Sequence, residues 1–376
     1  NAHAISLSPE AKEIKRQVIR PIQARTPVGY NIQFLDEYRP NVTYYLSESI
    51  RQRLFEMGKT DSKQPAGTYA RKIYGRLLID LSWNSSRLEG NTYSLLETER
   101  LFELSQIAEG KDLREARMIL NHKDAIEFVI DTAAEIGVNR PIILNLHALL
   151  SNDLMVDLEA CGRLRSIAVG IAKSVYQPLA MPQKIQELFQ QVVDTARAIK
   201  NPFEQAFFLM VHLPYLQPFE DVNKRVSRLA ANIPLIQHNL CPLSFVDVPQ
   251  QTYVNGLLGV YELNRIELLR DVFLWAYERS CLRYSVTRKE LGEPDPFRMR
   301  YRNAITENVS RVVRECMDKT AAIAFIREYA SHSIPPEDRT HFVESVERDI
   351  MSLHEGNIAR HRIRDVEYET WKKTWH

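Results

Sequence analysis

The stretch QPFEDVNKRVSRLAAN, residues 217–232, gathers Asn223, Lys224, Arg225 and Arg228 at what reads as the start of a helix. Pro218 and Phe219 form a rigid, apolar approach, and Asp221 caps or precedes a helix whose first turn holds Asn223, Lys224 and Arg225. Unpaired amides and the helix dipole at such an end attract phosphate, and Lys224 and Arg225 add charge-assisted hydrogen bonds to its oxygens. Arg228 lies three residues beyond Arg225 and shares its face. Asp221 is placed to share a Mg²⁺ with such phosphates, since that ion takes one or two protein carboxylates and keeps several waters. The residue that opens the stretch is Gln217, whose amide oxygen accepts a hydrogen bond but is far too weakly basic to take a proton. An ordinary helix start with a basic first turn is the plainer reading of the same residues.

The elements that must position these groups are mainly helical. Apolar residues recur three and four apart through Thr68–Leu88, Leu113–Ile136 and Ile185–Leu213. Asn139 and Pro141 sign one helix start, and Ser94 with Glu97 makes a capping box at another. Pro234 is expected to kink or end the helix that carries the motif, because its ring conflicts with the carbonyl of Ala230. Gly162 to Pro182 mixes β-branched and aromatic residues with Gly170 and Pro178, the composition of a short hairpin flap. The stretch KELGEPDPF, residues 289–297, cannot continue a helix and reads as the domain boundary.

Composition excludes several classes of function. Lys and Arg number 49 against 48 acidic residues, and a formal charge of +1 provides no overall field for nucleic acid or an anionic membrane. The 376 residues have a hydrophobic content of 44% and suffice for two or three domains. Cys161, Cys241, Cys281 and Cys316 form no CxxC pair, which argues against zinc and a disulfide framework and for a reducing cytoplasm. Neither a membrane-spanning run nor a signal-peptide pattern is present, and Asn1-Ala2, without a methionine, reads as an expression remnant. His354 and Glu355 with His361 miss the zinc-helix spacing, the histidines lying seven apart rather than four. The terminal segment ARHRIRDVEYETWKKTWH interleaves basic and aromatic residues, but Asp365, Glu367 and Glu369 make an amphipathic helix the better reading.

Taken together, the residues resemble the Fic/Fido family, whose central motif runs His-x-Phe-x-Asp/Glu-Gly-Asn-Gly-Arg-x-x-Arg. Phe219, Asp221, Asn223, Arg225 and Arg228 match it; Gln217, Val222 and Lys224 replace the histidine and both glycines. Upstream, SSRLEGN resembles the family's inhibitory helix motif through Ser85, Glu89 and Gly90. GRLRSIAVGI, with Gly162, Arg163, Arg165 and Ile167, is similar to the flap that in the family docks a target segment as an added strand.

The resemblance implies a Fic-type helical bundle with a short β-hairpin flap and additional N- and C-terminal helices. It implies an N-terminal arm over residues 1–60, a core over 61–288 and a C-terminal helical domain over 297–376. Within the core fall the inhibitory helix at about 69–90, the flap at about 162–182 and the motif at 217–228. The implied cofactors are ATP and Mg²⁺, the partners ATP and a target protein docked at the flap, with a homodimer left open. The implied activity is transfer of AMP from ATP to a protein hydroxyl. Gln217 stands where the family has its base, so activity is expected to be lost, reduced or redirected. His212 has the wrong helical offset to substitute, with Pro214 intervening, and is expected to pack or cap. Asn-Lys-Arg resembles the Doc branch, which transfers a phosphate, so a Doc-like phosphotransferase stays open beside a nucleotide- or partner-binding scaffold without chemistry. Glu89, by the same resemblance, pairs with Arg228 and blocks the place of the γ-phosphate. The plainer reading is a solvated glutamate ending a helix at Gly90.

Overall fold

The computed structural model describes residues 4–60, 64–284 and 295–375. The readings of Asn1-Ala2 and of most of the 289–297 boundary lie outside the described residues. The protein is mainly α-helical, as its periodicity requires, and divides into two compact units. Among the described residues, one holds 5–60, 64–91 and 117–284; the other holds Thr92–Ala116 and 295–375.

The larger unit is built on α1 (Pro9–Val18), α2 (Tyr74–Arg87), α3 (Arg140–Ser151), α4 (Pro182–Ala198), α5 (Pro202–Leu216), α6 (Asn223–Ala230), α7 (Gln250–Leu263) and α8 (Glu267–Tyr284). The central member is α5, buried from Phe203 to Leu216 without a polar stripe, as a helix surrounded by others must be. It packs against α4, α6 and α7, while α6 also packs on α3 and α1 covers α7 and α8. The periodic run Ile185–Leu213 is two helices rather than one. Pro202 cannot continue a helix, and Asn201 starts the next by accepting from the amides of Phe203 and Glu204 at 3.0 Å each. Replacing Asn201 with alanine is expected to lower stability by about 1 kcal/mol in urea denaturation with α5 retained.

The expected helix starts at Asn139 and Ser94 are observed, the latter with a complete capping box. Beyond α6 the chain breaks at Ala231 and resumes as the short helix Asn232–Gln237, the interruption that Pro234 dictates.

The segment Gly162–Pro182 does not form a hairpin of its own. It is a succession of turns with one short strand, β2 (Tyr176–Gln177), which pairs in parallel with β1 (Val28–Gly29) from the N-terminal segment. Gly170, the residue read as the hairpin turn, has no positive φ and no crowding, so nothing in the backbone there reverses the chain into a second strand.

Residues 38–46 are secured by the fully buried Glu204. Its carboxylate accepts from the Tyr38 hydroxyl at 2.8 Å and from the amides of Tyr45 at 2.6 Å and Leu46 at 2.9 Å. The C-terminal unit has its own core of Val309, Val312, Ile326, Phe342, Val346 and Trp371. There the buried carboxyl group of Glu347 accepts through Oε2 from the amides of Leu95 and Leu96 at the start of the helix Leu95–Leu104. The terminal segment forms an amphipathic helix over Asp365–Lys372, with Tyr368 and Trp371 buried.

Candidate functional site

Two residues in the left-handed region bracket the loop that carries the motif. Gln217 (φ 50°, ψ 58°) ends α5, and Val222 (φ 71°, ψ 3°) precedes α6. For a β-branched residue this is an outlier that costs about 1–2 kcal/mol, an expense its buried side chain helps to offset.

Asn223 fastens the loop from inside. Its Oδ1 accepts from the Phe219 amide at 2.9 Å, and its Nδ2 donates to the Phe219 carbonyl at 2.9 Å and to Gln217 Oε1 at 3.0 Å. Gln217 Nε2 donates in turn to the Pro214 carbonyl at 2.8 Å. Both ends of the Gln217 amide are therefore engaged by the chain itself. The neighbouring Tyr261 supplies no base either. Burial pushes its phenol well above the ordinary value, against the opposing effect of a hydrogen bond with Gln217.

The outside of the loop is held by two residues from other elements. The buried Arg165 donates its amide to the Pro218 carbonyl at 2.9 Å, and its guanidinium to the carbonyls of Gln217, Ile167 and Leu179. His147 on α3 stacks on Phe219 with ring centroids 3.9 Å apart. Its Nδ1 accepts from the Gly162 amide at 2.9 Å, which leaves the proton on Nε2 to reach the Asp221 carbonyl at 3.2 Å. Burial lowers the pKa of His147 to about 4, so it is neutral at pH 7. Gly162 has φ +75°, and a Cβ there would come within 3.1 Å of the Ala148 Cβ, so this turn requires glycine.

Helix α2 and the turn after it approach α6 through Ser85 and Glu89 respectively. The fully buried Arg228 donates from Nε to Ser85 Oγ at 2.9 Å and from Nη1 to the Tyr253 hydroxyl at 3.1 Å. Its Nη2 reaches the Ser85 carbonyl at 3.1 Å and Glu89 Oε1 at 2.7 Å. The other oxygen of Glu89 pairs with Lys224 Nζ at 3.0 Å. Burial alone would raise the Glu89 carboxyl, yet Arg228, Lys224 and Arg225 overcome it and bring the pKa down to about 2. Because Ser85 Oγ accepts from Arg228, its own proton points to His122 Nε2 at 2.8 Å, and His122 Nδ1 is left to donate to the Met118 carbonyl at 2.8 Å. Burial lowers His122 to about 3, so the ring is neutral at pH 7. Gly90, at φ +89°, turns the chain away directly after Glu89.

Of the residues singled out in the sequence, Ser85, Glu89, Lys224 and Arg228 meet in one cluster, and Gln217, Asn223 and Arg165 in a second on the same loop. Asp221 turns its carboxylate outward, 74% exposed, with Arg225 Nη2 at 3.9 Å. Arg163 is exposed and pairs with Glu159 at 3.4 Å, and Ile167 is half exposed. His212 packs against Phe208 and accepts or donates at 2.6 Å to the Tyr45 hydroxyl, a role in the core. Sequence reading missed His122, His147 and Tyr253. Each is a lone polar residue on a helix, with no spacing pattern to mark it. The Lys224–Glu89 pair was also missed, because the motif assigns Glu89 to Arg228 alone.

Residues 138–235 match the family model described as the Fic/DOC family. The chain is 25% identical over 169 residues to the protein adenylyltransferase fic-1 of Caenorhabditis briggsae, covering 43% of this chain and 32% of that protein. It is 27% identical over 164 residues to the protein adenylyltransferase Fic of Nematostella vectensis, covering 43% of this chain and 38% of that one. The chain thus spans about a third of the length of these curated relatives. Among solved structures, a Fic family protein from Desulfovibrio desulfuricans superposes with a TM-score of 0.53 at 18% identity, over 68% of this chain and 79% of that one. A Fic domain containing signaling protein from Bacteroides thetaiotaomicron gives 0.50 at 19%, over 62% and 95%. At these identities the structures establish a common helical fold. Among the described residues, no helix is long and apolar enough to cross a membrane.

Proposed function

We propose that this chain, whose residues 138–235 match the Fic/DOC family model, is a nucleotide-dependent AMP-transfer scaffold held shut by Glu89 and deprived of its general base at position 217. The observation that carries this reading is the Glu89 carboxylate, one oxygen on Arg228 and the other on Lys224. An anion already sits between the two cations, so the residues suit a phosphate, and Asp221 offers an exposed carboxylate beside Arg225 for a divalent ion. Lys224, Arg225 and Arg228 with the first amides of α6 would hold the phosphates of ATP, and Asp221 its Mg²⁺. ATP, when bound, supplies the AMP for transfer. Gln217, tied to Pro214 and Asn223, orients a target hydroxyl presented beneath the flap but accepts no proton from it.

A second reading, phosphate transfer of the Doc kind, draws on Lys224 lying against the same carboxylate as Arg228. ATP labelled at the α- or the γ-phosphate distinguishes the two.

The test is calorimetric titration of Mg·ATP into the wild type and into Glu89→Gly. Arg228, Lys224 and Arg225 hold the Glu89 carboxylate ionised against its burial, and an incoming phosphate must displace that pairing. Removing it is expected to tighten binding roughly 10- to 100-fold. Absence of binding in both proteins would retire the site and this reading with it.

A further inference from the structure

We propose that residues 25–31 form a releasable strap on the flap, holding the edge of β2 that an extended target segment would otherwise pair with; this rests on the reading that the target docks beneath the flap. The strap is bound by backbone pairing and by one buried carboxylate. Val28 and Gly29 run parallel to Tyr176 and Gln177, and the Val28 amide donates to the Val175 carbonyl at 3.2 Å. Strand addition at a sheet edge is a general mode of peptide recognition, with main-chain hydrogen bonds giving affinity. Here the chain's own segment makes those bonds.

The carboxylate is Glu262 on α7. Its Oε1 meets Arg25 Nη1 at 2.8 Å, and both side chains are over nine-tenths buried. The same oxygen accepts from Ser174 Oγ at 2.8 Å and from the Val175 amide at 3.2 Å, while Arg25 Nη2 donates to the Lys173 carbonyl at 3.1 Å. One ion pair thus ties strap, flap and scaffold together. At the other end Tyr30 stacks on Tyr215 at 4.8 Å, and the Asn31 amide donates to the Tyr215 hydroxyl at 2.8 Å. Tyr215 also stacks on Tyr176 of the flap at 5.1 Å and lies two residues before Gln217. The strap therefore bears on the helix end that positions the candidate site.

The strap has the marks of a segment that can leave. Thr26, Pro27 and Gly29 are exposed, Val28 and Tyr30 are only half-buried, and the paired strand is two residues long. Pro27 has no amide to donate, so the pairing cannot extend N-terminally by the usual ladder. Its retention depends on Arg25 and Glu262, and removing one partner of such a pair leaves the other buried and uncompensated.

Two measurements without nucleotide test the strap. In the wild type, hydrogen exchange at the Val28 amide is expected to run on the order of 10³ times faster than at the amides of α5, because strap opening is local. Exchange of Val28 only with global unfolding would overturn the proposal. In the full chain with Arg25→Ala and Val28→Pro, a synthetic peptide of residues 24–32 is expected to bind at least about 10-fold more tightly than to the wild type, whose edge is filled. Equal binding, or none, in a variant that melts cooperatively would also overturn it; if the variant does not fold, the exchange measurement decides alone. Mg·ATP titration is independent of both, so a strap that fails these tests leaves the nucleotide reading standing, and the reverse holds as well.

Discussion

Gln217→His, introduced together with Glu89→Gly, is expected to transfer label from α-labelled ATP to protein hydroxyls roughly 10² to 10⁴ times faster than Glu89→Gly alone, the usual contribution of a positioned general base. The backbone admits the change. Position 217 sits at φ 50°, a region in which histidine is enriched among non-glycine residues and a β-branched residue would be strained. The loop is held independently of the 217 side chain, by Asn223 on Phe219 and by Arg165 and His147 on the main chain. Imidazole restores an accessible lone pair of near-neutral basicity where an amide has none. As the target oxygen bonds to the α-phosphorus, pyrophosphate leaves and the hydroxyl proton passes to the imidazole. Glu89→Gly alone, with both cations free for phosphate, isolates the contribution of position 217. Equal labelling rates in the two variants would show that this position does not carry the base. Label from the γ-phosphate only would favour phosphoryl transfer.

The second large effect is on stability against pH, where the two units are expected to respond oppositely. His122, His147 and His212 are all buried in the larger unit, and burial lowers them to about 3, 4 and 3 respectively. Their unfolded forms take up protons below about 6.5 and their folded forms do not, so the unfolded state binds more protons in that window and stability falls as pH falls. Each contributes about 1.4 kcal/mol per pH unit, or about 2 kcal/mol between pH 6.5 and 5. Glu204, raised by burial, works the other way and offsets at most one of the three protons. Glu89, lowered to about 2, contributes only as pH falls from about 4.5 towards 2, below this window.

In the C-terminal unit, burial raises Glu347 to about 8, so its folded form binds the extra proton and acidification from pH 8 to 5 stabilises that unit, although His361, lowered by burial, offsets part of the gain below about pH 6.5. Urea denaturation followed by amide exchange at pH 7.5 and pH 5 separates the units. Loss of stability is expected in α5 and α6 and a gain in the helix Arg339–Met351. His147→Gln should flatten the acid loss of the larger unit by one proton's worth. A parallel decline in both units, unchanged in the variant, would refute the assignment.

The sequence by itself determined the mainly helical class, the helix starts at Asn139 and Ser94 and the break before Pro234. Each is written within a few residues, where capping, proline geometry and helical spacing act. It also showed that position 217 holds no base, since that follows from side-chain chemistry alone. Only the tertiary structure decided the rest. Arg228 and Glu89 are 139 residues apart, and whether Lys224 joins them depends on how α2 lies on α6. The roles of His122 and His147 arise from contacts distant in sequence, with the Ser85 hydroxyl and with the Asp221 carbonyl. The flap was misread as a hairpin because two strands of two residues each leave no period to count, and its partner came from 148 residues upstream through β1. Such pairings are chosen by the packing of the whole chain, where buried charges and amides must find partners wherever the fold brings them, and no local spacing records which partner that will be.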